Sequence, residues 1–164
     1  MGKYEDLMIK YDHLPITETK YMPDFMSGLY LDGEIFINDN RSVRQKLETL
    51  AEEIAHHKLT HGNITNSDEY NNRKFENYAR RYAKETVISL DGLIEAHRRG
   101  INSLYELSEF FEVTEEYVLD CLNHYKSKYG LSVIHNDHTI HFEPLSVIKN
   151  KRRDAEWKRL YFLF

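Results

Sequence analysis

Leu50-Ala51-Glu52-Glu53-Ile54-Ala55-His56-His57 is the stretch on which the reading of this chain turns. Glu52 and His56 stand one helical turn apart, so on a helix both side chains leave the same face and can meet one metal ion. Glu53 stands beside the first of them, where a general base belongs. The pattern is that of a His-Glu-x-x-His metal motif with glutamate in place of the first histidine. With Val43 set at zero and an advance of about 100° per residue, Leu47, Leu50 and Ile54 fall within about 40° and form a core stripe. Glu52 and His56 fall at about 180° and 220°, across the helix, facing solvent or a cleft.

Other pairings compete with this one. Taken alone, Glu-Glu-x-x-His-His is also the pattern of a solvated surface pair. Glu53 and His57 share the spacing but lie at about 280° and 320°, which sets His57 against the apolar stripe as a hydrogen-bonded or core histidine. His57 and His61 are one turn apart, yet Lys58 takes the base position and would repel a cation. His135, His138 and His141 have hairpin spacing and suit either a three-histidine site or ordinary surface polarity. Glu76, twenty residues after His56, supplies a third oxygen ligand for the Glu52–His56 pair. It opens Glu76-x-x-Ala79, whose small residue lets its helix pack closely, and a short polar loop permits antiparallel docking.

Working outward, Asn40 or Ser42 can cap the motif helix, which Gly62-Asn63 stops near His61. Leu7, Met8 and Tyr11 mark a short amphipathic helix over 3–12. Gly28 to Asn38 reads as a β-hairpin turning at Asp32-Gly33, a rail along which a substrate could run or a small covering sheet. A helix is predicted from Asp68 to about Ile88, with Phe75, Glu76, Ala79, Tyr82 and Ala83 on one face, and another from Asp91 to Arg99. Ser103 to Val118 has the pattern of a helix-turn-helix, turning at Phe111 to Thr114 with Thr114 as cap. A second hairpin is expected over 131–143, turning at Asn136-Asp137. A tail follows, first basic (Lys149, Lys151, Arg152, Arg153), then aromatic (Trp157, Tyr161, Phe162, Phe164).

Composition bounds the setting. Apolar residues at 41% and charged residues at 30% allow a buried core, and three prolines and seven glycines favour a helix-rich α+β fold. The single cysteine, Cys121, rules out an internal disulfide and suits core packing in a reducing compartment. No signal peptide or membrane span is evident, so a cytoplasmic location is expected. Residues 91–130 carry eight acidic against four basic residues, and the would-be recognition helix opens Thr114-Glu115-Glu116. Carboxylates there would meet phosphates, so direct DNA binding is disfavoured. A structural helical unit, or a docking surface for a basic partner, fits better.

Four pieces together carry a family resemblance: Gly28 to Ile37, Leu50 to His57, Asn72 to Ala83 and Leu104 to Val118. The chain resembles the phage and mobile-element branch of the ImmA/IrrE metallopeptidases, over roughly residues 25 to 130. The resemblance implies a zincin-like metallopeptidase core over 1–90, a helix-turn-helix-like subdomain over 91–130, and a hairpin and tail over 131–164. It implies a zinc-dependent endopeptidase in a bacterial host cytoplasm that cleaves a phage-type helix-turn-helix repressor. Glu52, His56 and Glu76 would hold the metal and Glu53 would act as base.

The glutamate at 52 has consequences. Two carboxylates and an imidazole neutralise a divalent ion, whereas two histidines and one carboxylate leave it one positive charge. Water activation weakens, and the harder ligand set shifts preference toward manganese or another hard divalent cation. A slow or substrate-restricted enzyme is expected. The alternative is a non-catalytic anti-repressor that sequesters the repressor.

Overall fold

The computed structural model describes residues 1–62 and 69–150, with side chains described for 1–60 and 73–150. Helix α1 (Lys3–Lys10) is followed by strands β1 (Ile16–Thr19), β2 (Gly28–Leu31) and β3 (Glu34–Asn38). The long helices α2 (Val43–Gly62) and α3 (Glu69–Val87) come next, then α4 (Leu90–Arg98), α5 (Leu104–Phe111) and α6 (Glu115–Tyr129). Strands β4 (Ser132–His135), β5 (His138–Phe142) and β6 (Leu145–Lys149) close the described chain. The fold is a mostly helical α+β domain with two small sheets.

The expected first hairpin is present. Asp32 and Gly33 both take positive φ, as a two-residue turn between right-twisted strands requires. Its sheet has a third member, β1, paired parallel to β3, so the order is β1-β3-β2 and β2 is an edge strand. The second hairpin turns at Asn136 and Asp137 as expected, and β6 adds a third strand beside β5.

Helix α2 starts at a reciprocal cap: the Gln45 backbone N–H donates to Ser42 Oγ, and Ser42 N–H donates to Gln45 Oε1. Leu47, Leu50 and Ile54 are buried, as the phase predicts, and join Ile35 and Ile37 of β3 in one core. Burying each such side chain contributes on the order of 1.5–3 kcal/mol. Val43, the reference residue of that stripe, is exposed instead, because it is the first residue of the helix and lies beyond the core. Ala51 and Ala55 of α2, and Ala79 and Ala83 of α3, are buried where the two helices run side by side. Small residues at all four positions let the backbones approach closely.

The α5–α6 pair docks on the same helix. The Thr114 N–H donates to Glu48, and the Arg44 guanidinium reaches Ser108 Oγ, the Val113 carbonyl and Glu109. Ser103 and Glu106 form a full capping box at the start of α5, and Thr114 caps α6 by accepting from the Tyr117 N–H. Cys121 is fully buried. Among the described residues no helix is long and apolar enough to cross a membrane. The loop joining α2 to α3 and the basic and aromatic tail lie outside the described residues, Lys149 excepted.

Candidate metal centre

The polar face of α2 is partly exposed, with Glu52 and His56 half-buried. It looks into a cleft of about 260 Å³ bounded by Gly28, Leu29 and Tyr30 of β2, by Glu52, Glu53 and His56, and by Glu76 of α3. Each flank has a sequence reason. Glu52 and His56 are one turn apart on α2, and the buried alanines of α3 bring Glu76 across to them. Gly28 permits the approach of the strand: a Cβ there would lie 2.4 Å from Thr49 Cγ2 and 3.0 Å from Glu53 Oε1.

Glu52, His56 and Glu76 each direct one donor atom to a common point, all within 4.8 Å of one another. His56 Nε2 lies 3.6 Å from Glu76 Oε2. Metal bonds of about 2.0–2.2 Å place two donors of a tetrahedral shell about 3.4 Å apart, so this pair already has near-ligating separation. The donor set, two carboxylates and an imidazole, fits a divalent cation.

Glu53 differs from its neighbours. Burial raises its carboxyl pKa, the charges of Glu52 and Glu76 raise it further, and the Tyr30 backbone N–H donating to it offsets this in part. It titrates at about 7, where a carboxyl group can both accept and release a proton in neutral water.

The competing histidines sort cleanly. His57 Nδ1 is 3.2 Å from the Tyr30 hydroxyl, with the rings edge to face, and it is not part of the three-donor group. His135 pairs with Asp91, and the buried His138 bonds the Asn136 carbonyl. Among the described residues these form no metal-ligating group with His141. The His61 side chain lies outside the described residues.

One residue of the site escapes a reading of the motif alone. Arg80, one turn after Glu76, donates from Nε to Glu52 Oε1 at 3.0 Å and has a second guanidinium nitrogen 4.0 Å from Glu76 Oε2. The signal that could have revealed it is the i, i+4 step from a proposed ligand on the same helix face.

An α+β fold in which a long helix and an edge strand enclose a three-donor cleft beside a protonatable glutamate defines a metallopeptidase-like domain. The family model for the IrrE N-terminal-like domain, Peptidase_M78, matches residues 10–123, and the chain belongs to that family. Family membership implies a divalent metal and a metallopeptidase lineage. Among solved structures, a Mycobacterium tuberculosis transcriptional regulator shares the fold with TM-score 0.58 and 15% identity, over 73% of this chain and 39% of that one. The chain thus spans about two fifths of that regulator's length. No curated protein matches.

Proposed function

We propose that the chain is a metal-dependent endopeptidase that cleaves a helix-turn-helix repressor of the phage type and so relieves repression. The observation that carries this reading is the convergence of Glu52, His56 and Glu76 around one point, with the Glu53 carboxyl lining the same cleft. A divalent metal held by those three side chains, zinc or a harder ion such as manganese, would supply a Lewis acid for the scissile carbonyl and the attacking water. Glu53 would take a proton from that water onto its carboxylate and hand it to the leaving amide nitrogen. The Tyr30 N–H, by donating to Glu53, would hold the carboxylate at the cleft wall.

An extended segment of substrate has a natural place beside β2, the sheet's edge, where backbone pairing gives affinity and alternate side chains give selectivity. Leu29 and Leu31 are exposed on that strand, and Phe25 just before it is 87% exposed, which favours an apolar segment. A repressor is favoured as the owner of that segment on three grounds. They are the resemblance to the phage branch, the fold shared with a transcriptional regulator, and the acidic start of α6. Glu115 and Glu116 there are exposed and would attract a basic DNA-binding surface.

A second reading, sequestration without cleavage, is favoured by the Arg80–Glu52 pair, which draws one carboxylate of the donor set toward an internal cation. One experiment separates the two. Purified protein is analysed for bound metal and incubated with a phage-type helix-turn-helix repressor, alongside Glu53→Gln. Cleavage by the native protein and intact repressor with the variant, at equal binding, support the enzyme. Derepression that survives Glu53→Gln unchanged makes sequestration the function.

A further inference from the structure

Arg80 reaches both carboxylates of the donor set, and they come from different helices. Its Nε donates to Oε1 of Glu52 on α2 at 3.0 Å, and its Nη2 lies 4.0 Å from Oε2 of Glu76 on its own helix. That same Glu76 oxygen faces His56 Nε2. Glu52, Glu53 and Glu76 line one cleft, and among its described neighbours the guanidinium is the fixed positive charge paired with them. We propose that Arg80 is the resident cation of this centre, clamping Glu52 to Glu76 in the metal-free protein and competing with a divalent metal for those two carboxylates. The inference rests on the metal-binding reading of the site.

The charge count gives the device a purpose. Glu52 stands where the motif family more often has a neutral histidine. An ion-paired Glu52–Arg80 unit is neutral overall, so with it the donor set again totals one negative charge against a divalent ion. The ion then keeps one unit of positive charge and its power as a Lewis acid, at the cost of affinity. A positive group beside a divalent cation weakens its binding by Coulomb repulsion and by sharing of Glu52. Arg80 is 59% exposed, so water screens much of this, and a difference of about tenfold is expected.

The test uses the full chain stripped of metal by a chelator and titrated calorimetrically with Zn²⁺ and with Mn²⁺. Arg80→Gln is expected to bind each ion about tenfold more tightly, whereas Arg80→Lys stays within about threefold of the native protein. The advantage of the Gln variant shrinks as salt is raised. Without metal, Arg80→Gln melts at a lower temperature than the native protein, and it gains more on metal addition. Equal or weaker metal binding by Arg80→Gln, with the native protein still taking up metal, overturns the role of Arg80 alone. If neither the native protein nor the variants take up metal, the metal reading of the site fails first and this inference falls with it.

Discussion

Helix α2 carries two clusters of charge, nearly two turns apart, that are built on opposite terms. Near its start, Lys46 is buried and pairs with both Glu18 of β1 and Asp39 after β3, while the Tyr4 hydroxyl donates to Glu18. Each group has a partner of matching chemistry, and the lysine holds the Asp39 carboxyl below its usual range. Further along, Glu52, Glu53 and Glu76 share a cleft with one arginine and one imidazole. Negative charge is in excess there, and burial, reinforced by the Glu52 and Glu76 charges, keeps the Glu53 proton in place up to about pH 7. The first cluster is closed and ties the sheet to the helix. The second is open, with donor atoms and a proton left for an incoming ligand.

The sharpest way to break the contrast is Glu53→Gln. It should lower peptide cleavage by at least about a hundredfold while leaving metal uptake near native, measured by turnover and by metal analysis. Loss of metal binding alongside activity would make Glu53 a ligand rather than a base.

The two clusters should also answer pH with opposite sign. Glu53 ionises near 4.5 when unfolded and at about 7 when folded, so between those values the folded state holds the extra proton. Metal-free stability should therefore fall as pH rises from about 5 to 7, by roughly 2–3 kcal/mol, and Glu53→Gln should flatten that slope. Asp39 is shifted the other way, so its contribution is present above the unfolded value of 3.8 and is lost as pH falls below it. Urea unfolding in chelator across this range reads both limbs.

Lys46→Met leaves Glu18 and Asp39 facing each other. It should cost about 2 kcal/mol, below the value for fully buried pairs because both carboxylates keep about a third of their surface in water. Metal affinity should not change, since the closed cluster makes no contact with the cleft. The smallest effect is expected from Gly28→Ala, about 1 kcal/mol, because the stiff β-branched Thr49 must give way. Its diagnostic readout is a larger proportional loss in cleavage than in stability, as β2 moves off Glu53.

Local chemistry accounts for what was legible in advance. The Asp32-Gly33 and Asn136-Asp137 turns follow from positive φ demanded at adjacent positions, and the helices from their caps and apolar spacing. The pairing of β1 escaped because Ile16-Thr17-Glu18-Thr19 has a single strongly apolar residue, and the strand runs parallel to β3 with Ile16 opposite Ile35. β6 escaped because it was read with the basic tail, and only its pairing with β5 reveals it. The Ser103–Glu106 capping box was present in the string and is a local signal in its own right.

What the sequence determined by itself is the face: a period of 3.6 puts Glu52 and His56 opposite Leu47, Leu50 and Ile54 whatever the rest of the chain does. Tertiary structure decided what that face meets. Packing of α3 through Ala79 and Ala83 brings Glu76 and Arg80 to it, and the bare Cα of Gly28 lets β2 press Tyr30 N–H onto Glu53. Spacing along one helix fixes direction. Distances between helices depend on which surfaces bury each other, and only the folded chain sets those.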